Sequence, residues 1–178
     1  MIDPTQPGKI DPSDLKNYGA VLTAAQVLEK AAAGESLAGV RLEGIDLRGA
    51  VLRGVNLQLA SIKTTRLAGA DLSGANLLGA VLREVDFREA NLERANLTGV
   101  RAINCRAEKA RFAFSDLTGF ACETEDLLLK KPADFDLDSP TLGITPNDYL
   151  PGQSIFRESD FRGAELGLAR FVKTRLEG

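Results

Sequence analysis

The sequence predicts an all-β solenoid of short stacked segments, preceded by one α-helix. Apolar residues recur in a fixed frame of five residues from Glu35 onward, and Gly often ends a block. Aromatic residues make up only 6% of the chain and Trp is absent, so we expect a core of small repeated units. The length of 178 residues and the ordinary composition favour a single domain.

The repeat runs without interruption through residues 35–124, which divide into 18 blocks of five. The third position is Leu, Ile or Phe in every block except three, where Ala102, Ala107 and Cys122 stand. The first position is mostly Ala or Val. The same pattern returns over residues 154–178.

A period of five matches neither an α-helix, at 3.6 residues, nor a free strand, at 2.0 residues. A short extended segment followed by a turn would place positions one and three of each block inside. Positions two, four and five would then face water. Gly at position five is typical of a corner, where a positive φ costs least for a residue without Cβ.

Two blocks, Ala70-Asp71-Leu72-Ser73-Gly74 and Ala75-Asn76-Leu77-Leu78-Gly79, resemble most closely the A-(D/N)-L-x-x motif of the pentapeptide-repeat family. The resemblance covers 23 blocks. It implies four blocks per coil, hence a right-handed quadrilateral parallel β-helix in which residues 20 apart stack with a rise of about 4.8 Å. It implies a shared shape and no single activity.

Thr23 and Gln26 have the spacing of a capping box, which predicts a helix from about Ala24 to Ala33. Gly34 follows as the terminating residue. We expect this helix to cover the open end of the first coil. Asp11-Pro12 predicts the start of a second, shorter helix.

The predicted organisation has four parts. They are an N-terminal extension with the capping helix (1–34), the repeat body (35–124), an acidic Pro-rich insertion loop (125–153) and a C-terminal coil (154–178). The insertion holds four of the seven prolines. A long loop inside a compact repeat protein is usually functional or mobile.

The sequence favours a protein without enzymatic activity, cofactor or metal. It contains no His, no CxxC and no GxxxxGK[ST], and its Ser and Thr residues occupy repeat positions. Asp134, Asp136 and Asp138 begin like a calcium loop, but Ser139 and Thr145 stand where Gly and Glu are needed. The two cysteines, at inward positions, are interpreted as small hydrophobic residues.

Stacking at intervals of 20 residues defines surface columns. Asp46, Arg66, Asp86 and Arg106 alternate in charge, which predicts a salt ladder. A second face is almost uncharged and carries outward Leu side chains, so we predict that a protein partner binds there. The predicted binding residues are Asn56, Leu59, Asn76, Leu78, Val81 and Asn96. The alternatives are an Asn ladder that only stabilises the stack, or a face covered by the acidic insertion.

The predicted function is a protein–protein interaction scaffold whose partner the sequence does not identify. One alternative is an accessory domain of a bacterial type VI secretion protein, because residues 31–37 and the blocks that follow resemble repeat tails of that class. Another is duplex-DNA mimicry directed at DNA gyrase, a role the resemblance implies for some members. Residues 40–122 hold 12 basic and 9 acidic side chains, which disfavours mimicry of DNA.

The N-terminal sequence has no leader-like segment, and the chain has no run of 18 apolar residues, so a cytoplasmic bacterial protein without membrane contact is expected. Direct binding of nucleic acid is disfavoured, because basic residues alternate with acids and aromatic platforms are missing. No capping helix follows the last block. This predicts a homodimer through the C-terminal coil, unless the chain is part of a longer protein or the insertion covers this end.

Overall fold

The computed structural model describes residues 16–123, 156 and 158–171. Helix α1 spans Ala24–Ala32 and confirms the predicted cap: Thr23 is the N-cap residue, and both hydrogen bonds of the capping box with Gln26 are present. Gly34 follows the helix with a φ of +71°, as a terminating residue should. The insertion and the second helix, predicted at Asp11-Pro12, lie outside the described residues.

Among the described residues, six short strands form one parallel sheet in sequence order. They are β1 (Arg41–Glu43), β2 (Ser61–Lys63), β3 (Val81–Arg83), β4 (Arg101–Ile103), β5 (Ala121–Glu123) and β6 (Arg170–Phe171). Each of the first four steps is 20 residues long, as in the pairing of Arg41 with Ser61. The last step pairs Ala121 with Arg170. Residues after the insertion therefore rejoin the same stack.

Three further ladders of isolated parallel bridges complete each coil. We call the sheet β1–β6 face 1. Face 2 contains the ladder Asp46–Arg66–Asp86–Arg106, face 3 the ladder Val51–Asp71–Asn91–Arg111–Asp160, and face 4 the ladder Asn56–Asn76–Asn96–Asp116–Glu165. Four ladders five residues apart confirm the predicted β-solenoid with four blocks per coil. The right-handed winding remains a prediction.

The core consists of the side chains at positions one and three of the blocks. Leu72, Ala75 and Leu77, for example, are completely buried. Towards the C-terminal end the core becomes aromatic, and the rings of Phe112 and Phe161 stack with centroids 4.9 Å apart. Phe120, Phe156 and Phe171 join the same cluster. The register of Arg111 with Asp160 places Phe156 on the rung after the small Ala107.

The first coil is covered on its N-terminal side, as predicted for the capping segment. Residues 19–22 form a partial rung on face 1, where the Arg41 N–H donates to the Ala20 carbonyl at 2.8 Å. Val27 of α1 and Leu22 are buried and belong to the core cluster. The first rung therefore has hydrogen-bond partners and an apolar cover.

Position five is a left-handed corner whether or not it is Gly. Gly74 has a φ of +65°, and Arg94, one rung later in the same column, has a φ of +56°. Ten described residues other than Gly adopt this conformation. The coil therefore holds residues that have a side chain in a backbone conformation that is unfavourable for them.

We predict that Leu72→Ala lowers the free energy of unfolding by about 2–5 kcal/mol, because Leu72 is completely buried and the substitution leaves a cavity. The matched control, Ser61→Ala at an exposed position on face 1, should change it by less than about 0.5 kcal/mol. Urea titration measures both. Equal losses would contradict the assignment of inner and outer positions.

We also predict that Gly74→Ala and Arg94→Gly have opposite effects. A Cβ on Gly74 would meet no atom within 4 Å, so only the left-handed backbone opposes it, at a cost of about 1 kcal/mol. Arg94→Gly should stabilise by up to about 1 kcal/mol, because Gly adopts the same φ without strain. Thermal and urea unfolding measure the sign, and a stabilising Gly74→Ala would show that the corner is not strained.

Candidate partner-binding face

Face 4 differs from the other faces in its charge. At positions two, four and five of its described blocks, only Asp116 and Glu165 are charged, and both lie at the C-terminal end. At the N-terminal edge, Glu35 is exposed and pairs with Lys30 of α1 at 2.7 Å. The ion pairs found among surface positions of the described coils lie on the other three faces. Those pairs are Lys63–Glu43 on face 1; Arg48–Asp46, Arg66–Asp46, Arg88–Asp86, Arg106–Glu108 and Lys109–Glu158 on face 2; and Arg53–Asp71, Arg111–Glu93 and Arg162–Asp160 on face 3.

The three predicted Asn residues of face 4 stack as expected, and their side-chain oxygens accept hydrogen bonds from backbone N–H groups of the same block. The Oδ1 atom of Asn56 accepts a hydrogen bond from the N–H of Gln58 at 3.2 Å. Asn76 and Asn96 accept in the same way from the residues two positions later. Each Asn thereby closes a local turn, a use for which short polar side chains are suited.

One of these Asn residues corrects the prediction that position two faces water. Asn76 is only 6% exposed, because it lies in the middle of its ladder and folds back onto the backbone. At the N-terminal end of the same ladder, Nδ2 of Asn56 donates to Oγ of Ser36 at 3.1 Å. The Asn ladder thus stabilises the stack, which was the alternative reading of these residues.

Leu59 is the most exposed of the six predicted residues, and only Asn76 is buried. Leu59 is 39% exposed, and its Cδ2 lies 3.0 Å from the point where a Cβ on Gly79 would stand. Leu78 and Val81 are partly exposed, with Val81 across the corner on face 1. All six predicted residues therefore share one region, and their role in binding a partner remains a prediction.

The sequence reasoning missed four residues of this face. Tyr18 lies over Gly39, and Phe114 lies over Gly163 at the border with face 3. Leu168 is exposed at the border with face 1. Phe114 and Leu168 were visible as large apolar residues at position five, whereas Tyr18 precedes the repeat and gave no signal. Gln58, expected to face water, is buried, and its Oε1 has no hydrogen-bond partner among the described residues.

The four residues of the predicted salt ladder stack on face 2, but ion pairs within a block are closer than the pair between rungs. Arg66 lies 3.6 Å from Asp46 of the preceding rung. Arg48, only two residues after Asp46, forms the shorter pair at 2.7 Å. Its hydrogen bond is the main reason that the pKa of Asp46 falls to about 2. Charges on this face are therefore largely neutralised locally.

On face 3, hydrogen bonds within a block and between rungs both lower the pKa of carboxylates. Burial raises the pKa of Asp71, but hydrogen bonds from Ser73 and Arg53 outweigh it and hold the pKa at about 2. The hydrogen bond from Arg162 lowers the pKa of Asp160 to about 2. These carboxylates are structural acceptors in the turn, and their ionised form is the one that the fold stabilises.

Within the described part of the chain, no group of three or more His, Cys, Asp or Glu side chains could hold a metal ion. Both cysteines are buried. Burial raises the pKa of the Cys105 thiol to about 12, so the reactive thiolate is disfavoured. No helix in the described residues is long and apolar enough to cross a membrane.

Comparison with known proteins finds the model of pentapeptide repeats, in eight copies, over residues 36–67 and 65–101. No curated protein matches the chain. A pentapeptide repeat protein from the Arabidopsis thaliana thylakoid lumen is 21% identical. That alignment covers 74% of this chain and 61% of the other, with a TM-score of 0.33.

Two further solved structures are similar. QnrB1, a plasmid-mediated fluoroquinolone resistance protein, is 16% identical over 79% of this chain and 65% of its own, with a TM-score of 0.36. HetL of Nostoc sp. strain PCC 7120, involved in heterocyst differentiation regulation, is 18% identical over 84% and 94%, with a TM-score of 0.25. The chain spans less than two thirds of the Arabidopsis protein and of QnrB1. At these scores the three likenesses carry no argument about function.

We predict that the protein loses stability in acid as the carboxylates of Asp46, Asp71 and Asp160 are protonated. Their folded pKa of about 2 lies below the ordinary value of 3.8, so their contribution is complete above about pH 4 and is lost as the pH falls towards 2. Urea titration across this range measures the loss. Asp71→Asn, which keeps an acceptor oxygen, should reduce the pH dependence; an unchanged slope would contradict the assignment for Asp71.

Proposed function

Because the chain belongs to the pentapeptide-repeat family, we propose that it is a non-enzymatic scaffold that binds a protein partner through face 4. The observation that carries the proposal is the contrast in charge between the faces. Face 4 presents Leu59 and Leu78 on a surface that is uncharged as far as Asp116, while ion pairs occupy the other faces of the described coils. An exposed apolar patch with a polar rim is typical of an interaction site.

The energetics of docking favour this surface. Burying a charged group costs free energy because its bound water is removed. A partner that covered face 2 or face 3 would have to offset this cost with new interactions to the charged groups. On face 4 the polar groups of Asn56, Asn76 and Asn96 are already engaged with the backbone. A partner can therefore cover them with a smaller desolvation cost.

A scaffold role also agrees with how the other residues are used. Inward positions pack the core, and the Asp and Asn residues at position two close turns. These side chains therefore have structural uses in the described coils. The binding surface supplies the interaction, and the stacked coils hold it flat.

The two alternative functions gain no support from the described surface. Mimicry of duplex DNA requires columns of acid, but acids and arginines alternate on face 2, as in Asp46, Arg66 and Asp86. The surface of the described coils contains nothing specific to a secretion apparatus. The general scaffold is therefore the proposed function.

We predict that Leu59→Glu/Leu78→Glu abolishes capture of the partner, because two carboxylates would be buried without counter-charges. Immobilised wild-type and variant proteins are incubated with lysate of the native cells, and the proteins retained are compared by mass spectrometry. A partner of face 4 is retained by the wild type and lost by this variant.

The matched control is Ser61→Glu/Ala68→Glu, which adds the same charge to faces 1 and 2 and should retain the partner. Circular dichroism and thermal unfolding establish that both variants keep the fold. If the face-4 variant retains the same proteins as the wild type, face 4 is not the binding surface.

A further inference from the structure

Three large apolar residues adopt the left-handed conformation: Leu59 at a φ of +55°, Phe114 at +59° and Leu168 at +58°. This conformation is unfavourable for residues with a side chain, and Gly occupies it at half of the described repeat corners. Burial does not offset the strain, because the three residues are 39%, 64% and 86% exposed. Neither the backbone nor the core accounts for their presence.

Their positions are not scattered over the four corners. Phe114 lies on the corner between faces 3 and 4, and Leu59 and Leu168 lie on the corner between faces 4 and 1. The described left-handed residues on the other two corners that are not Gly are all polar: Thr64, Glu84, Glu89, Asn104, Lys109 and Glu158. On the corner between faces 3 and 4, Arg94 is the polar residue one rung before Phe114, and it is exposed. Large apolar side chains thus stand only on the borders of face 4. We call these three residues the apolar rims.

The surface of face 4 between the apolar rims, which we call the floor, is lower than the rims. Phe114 extends over Gly163 so closely that a Cβ there would lie 2.7 Å from the ring, and Leu59 extends over Gly79 in the same way. Phe114 and Leu168 therefore stand at opposite borders of the same rung of face 4. Between the rims the surface residues are small: Thr98, Gly99, Thr118, Gly119 and Gly167.

We propose that the rims hold an amphipathic α-helix of the partner, lying lengthwise on face 4 with its positively charged end at Asp116 and Glu165. This inference rests on the proposed function and identifies the kind of partner it requires. Exposed strain of this type is a feature of sites that serve function, and a helix is the partner element whose shape fits.

The dimensions agree with a helix. Three extended residues between corners give a face about 10 Å wide, close to the diameter of a helix with its side chains. The six rungs from Ser36 to Glu165 span about 24 Å, the length of about 16 helical residues. Leu59 and Leu168 are four rungs apart, about 19 Å, so they contact the helix near its two ends.

The main chain of face 4 disfavours an added strand. The N–H groups of Leu57, Leu77 and Leu97 each donate to the next rung at 2.7–2.8 Å. A partner strand laid on this face would find no free ladder of donors and acceptors. Recognition must therefore use side chains, and a helix presents them without needing main-chain partners.

The charge of the face sets the direction of the helix. Asp116 and Glu165 are neighbours in one ladder at its C-terminal end, and the other residues at positions two, four and five of the face are uncharged. At the edges of the face, Glu35 is paired with Lys30 of α1, and Arg94 lies on the corner with face 3. Two stacked acids favour the positive N-terminus of a helix or a Lys or Arg in its first turn. The middle of the helix must be apolar on one side, because Leu59, Leu78 and the Thr and Gly floor provide no counter-charge.

Photo-cross-linking tests the proposal. The probe is benzoylphenylalanine in place of Thr118, between Phe114 and Leu168, with Ala68 on face 2 as the control position. Each protein is irradiated in lysate of the native cells, and the attached peptide is sequenced. We expect a segment of about 16 residues with apolar residues at i, i+3, i+4 and i+7 and basic residues near one end.

Phe114→Gly/Leu168→Gly should lower the yield of this product about tenfold or more, as expected for loss of central anchors. The same change leaves the fold intact or stabilises it, because Gly favours this φ, and thermal unfolding checks this. Glu84→Gly/Glu89→Gly, at the polar corners, gives the same backbone effect and should leave the yield unchanged.

An attached segment with strand periodicity, a nucleic acid or a second copy of this chain would overturn the proposal. So would a yield that the rim variant leaves unchanged. If Leu59→Glu/Leu78→Glu removes the product but Phe114→Gly/Leu168→Gly does not, face 4 binds the partner without the rims. If Thr118 attaches nothing beyond what the Ala68 control attaches, both the helix and the proposed function fail.

Discussion

The left-handed corner at every fifth residue is the constraint on which the rest of this structure depends. A strand alternates its side chains, so without a turn the apolar positions of successive blocks would point alternately in and out. The corner turns the backbone after each block and returns position one to the interior. Gly74 and Arg94 show that the corner forms with or without Gly. Coil geometry is thus enforced by the core and by hydrogen bonds between rungs, such as the one from the Leu77 N–H to the Asn96 carbonyl at 2.8 Å.

Position two carries the second constraint, because its side chain accepts a hydrogen bond from the N–H two residues later. Asp46, Asp71 and Asp86 do this with a carboxylate, while Asn76 and Asn96 do it with an amide. The fold is therefore indifferent to the choice between Asp and Asn, but the surface is not. Asp46, Asp71 and Asp86 each also pair with an arginine, whereas Asn leaves its position uncharged. The choice between Asp and Asn at position two thus contributes to the charge of a face.

Much of the fold could be predicted from the sequence because each block repeats the same pattern of burial and short-range hydrogen bonds. The frame, the 20-residue stacking and the Thr23 cap depend only on period and on short-range hydrogen bonds, and the structure confirms them. The burial of Asn76 and Gln58 did not follow, because it depends on how side chains fold onto neighbouring rungs. The position of Tyr18 could not be predicted either, because this residue lies outside the repeat and belongs to no column of stacked residues.

The candidate face was predicted from the absence of charge, and the structure adds an independent reason to distinguish it. An uncharged Asn column could exist only to stabilise the stack, and the hydrogen bonds of Asn56 and Asn76 agree with that role. Stability alone, however, favours Gly at the adjoining corners, because every other residue is strained there. Leu59, Phe114 and Leu168 are strained and exposed at once, and they border this face alone among the described corners. A surface that only served stacking would have no use for them, whereas a surface that holds a partner would.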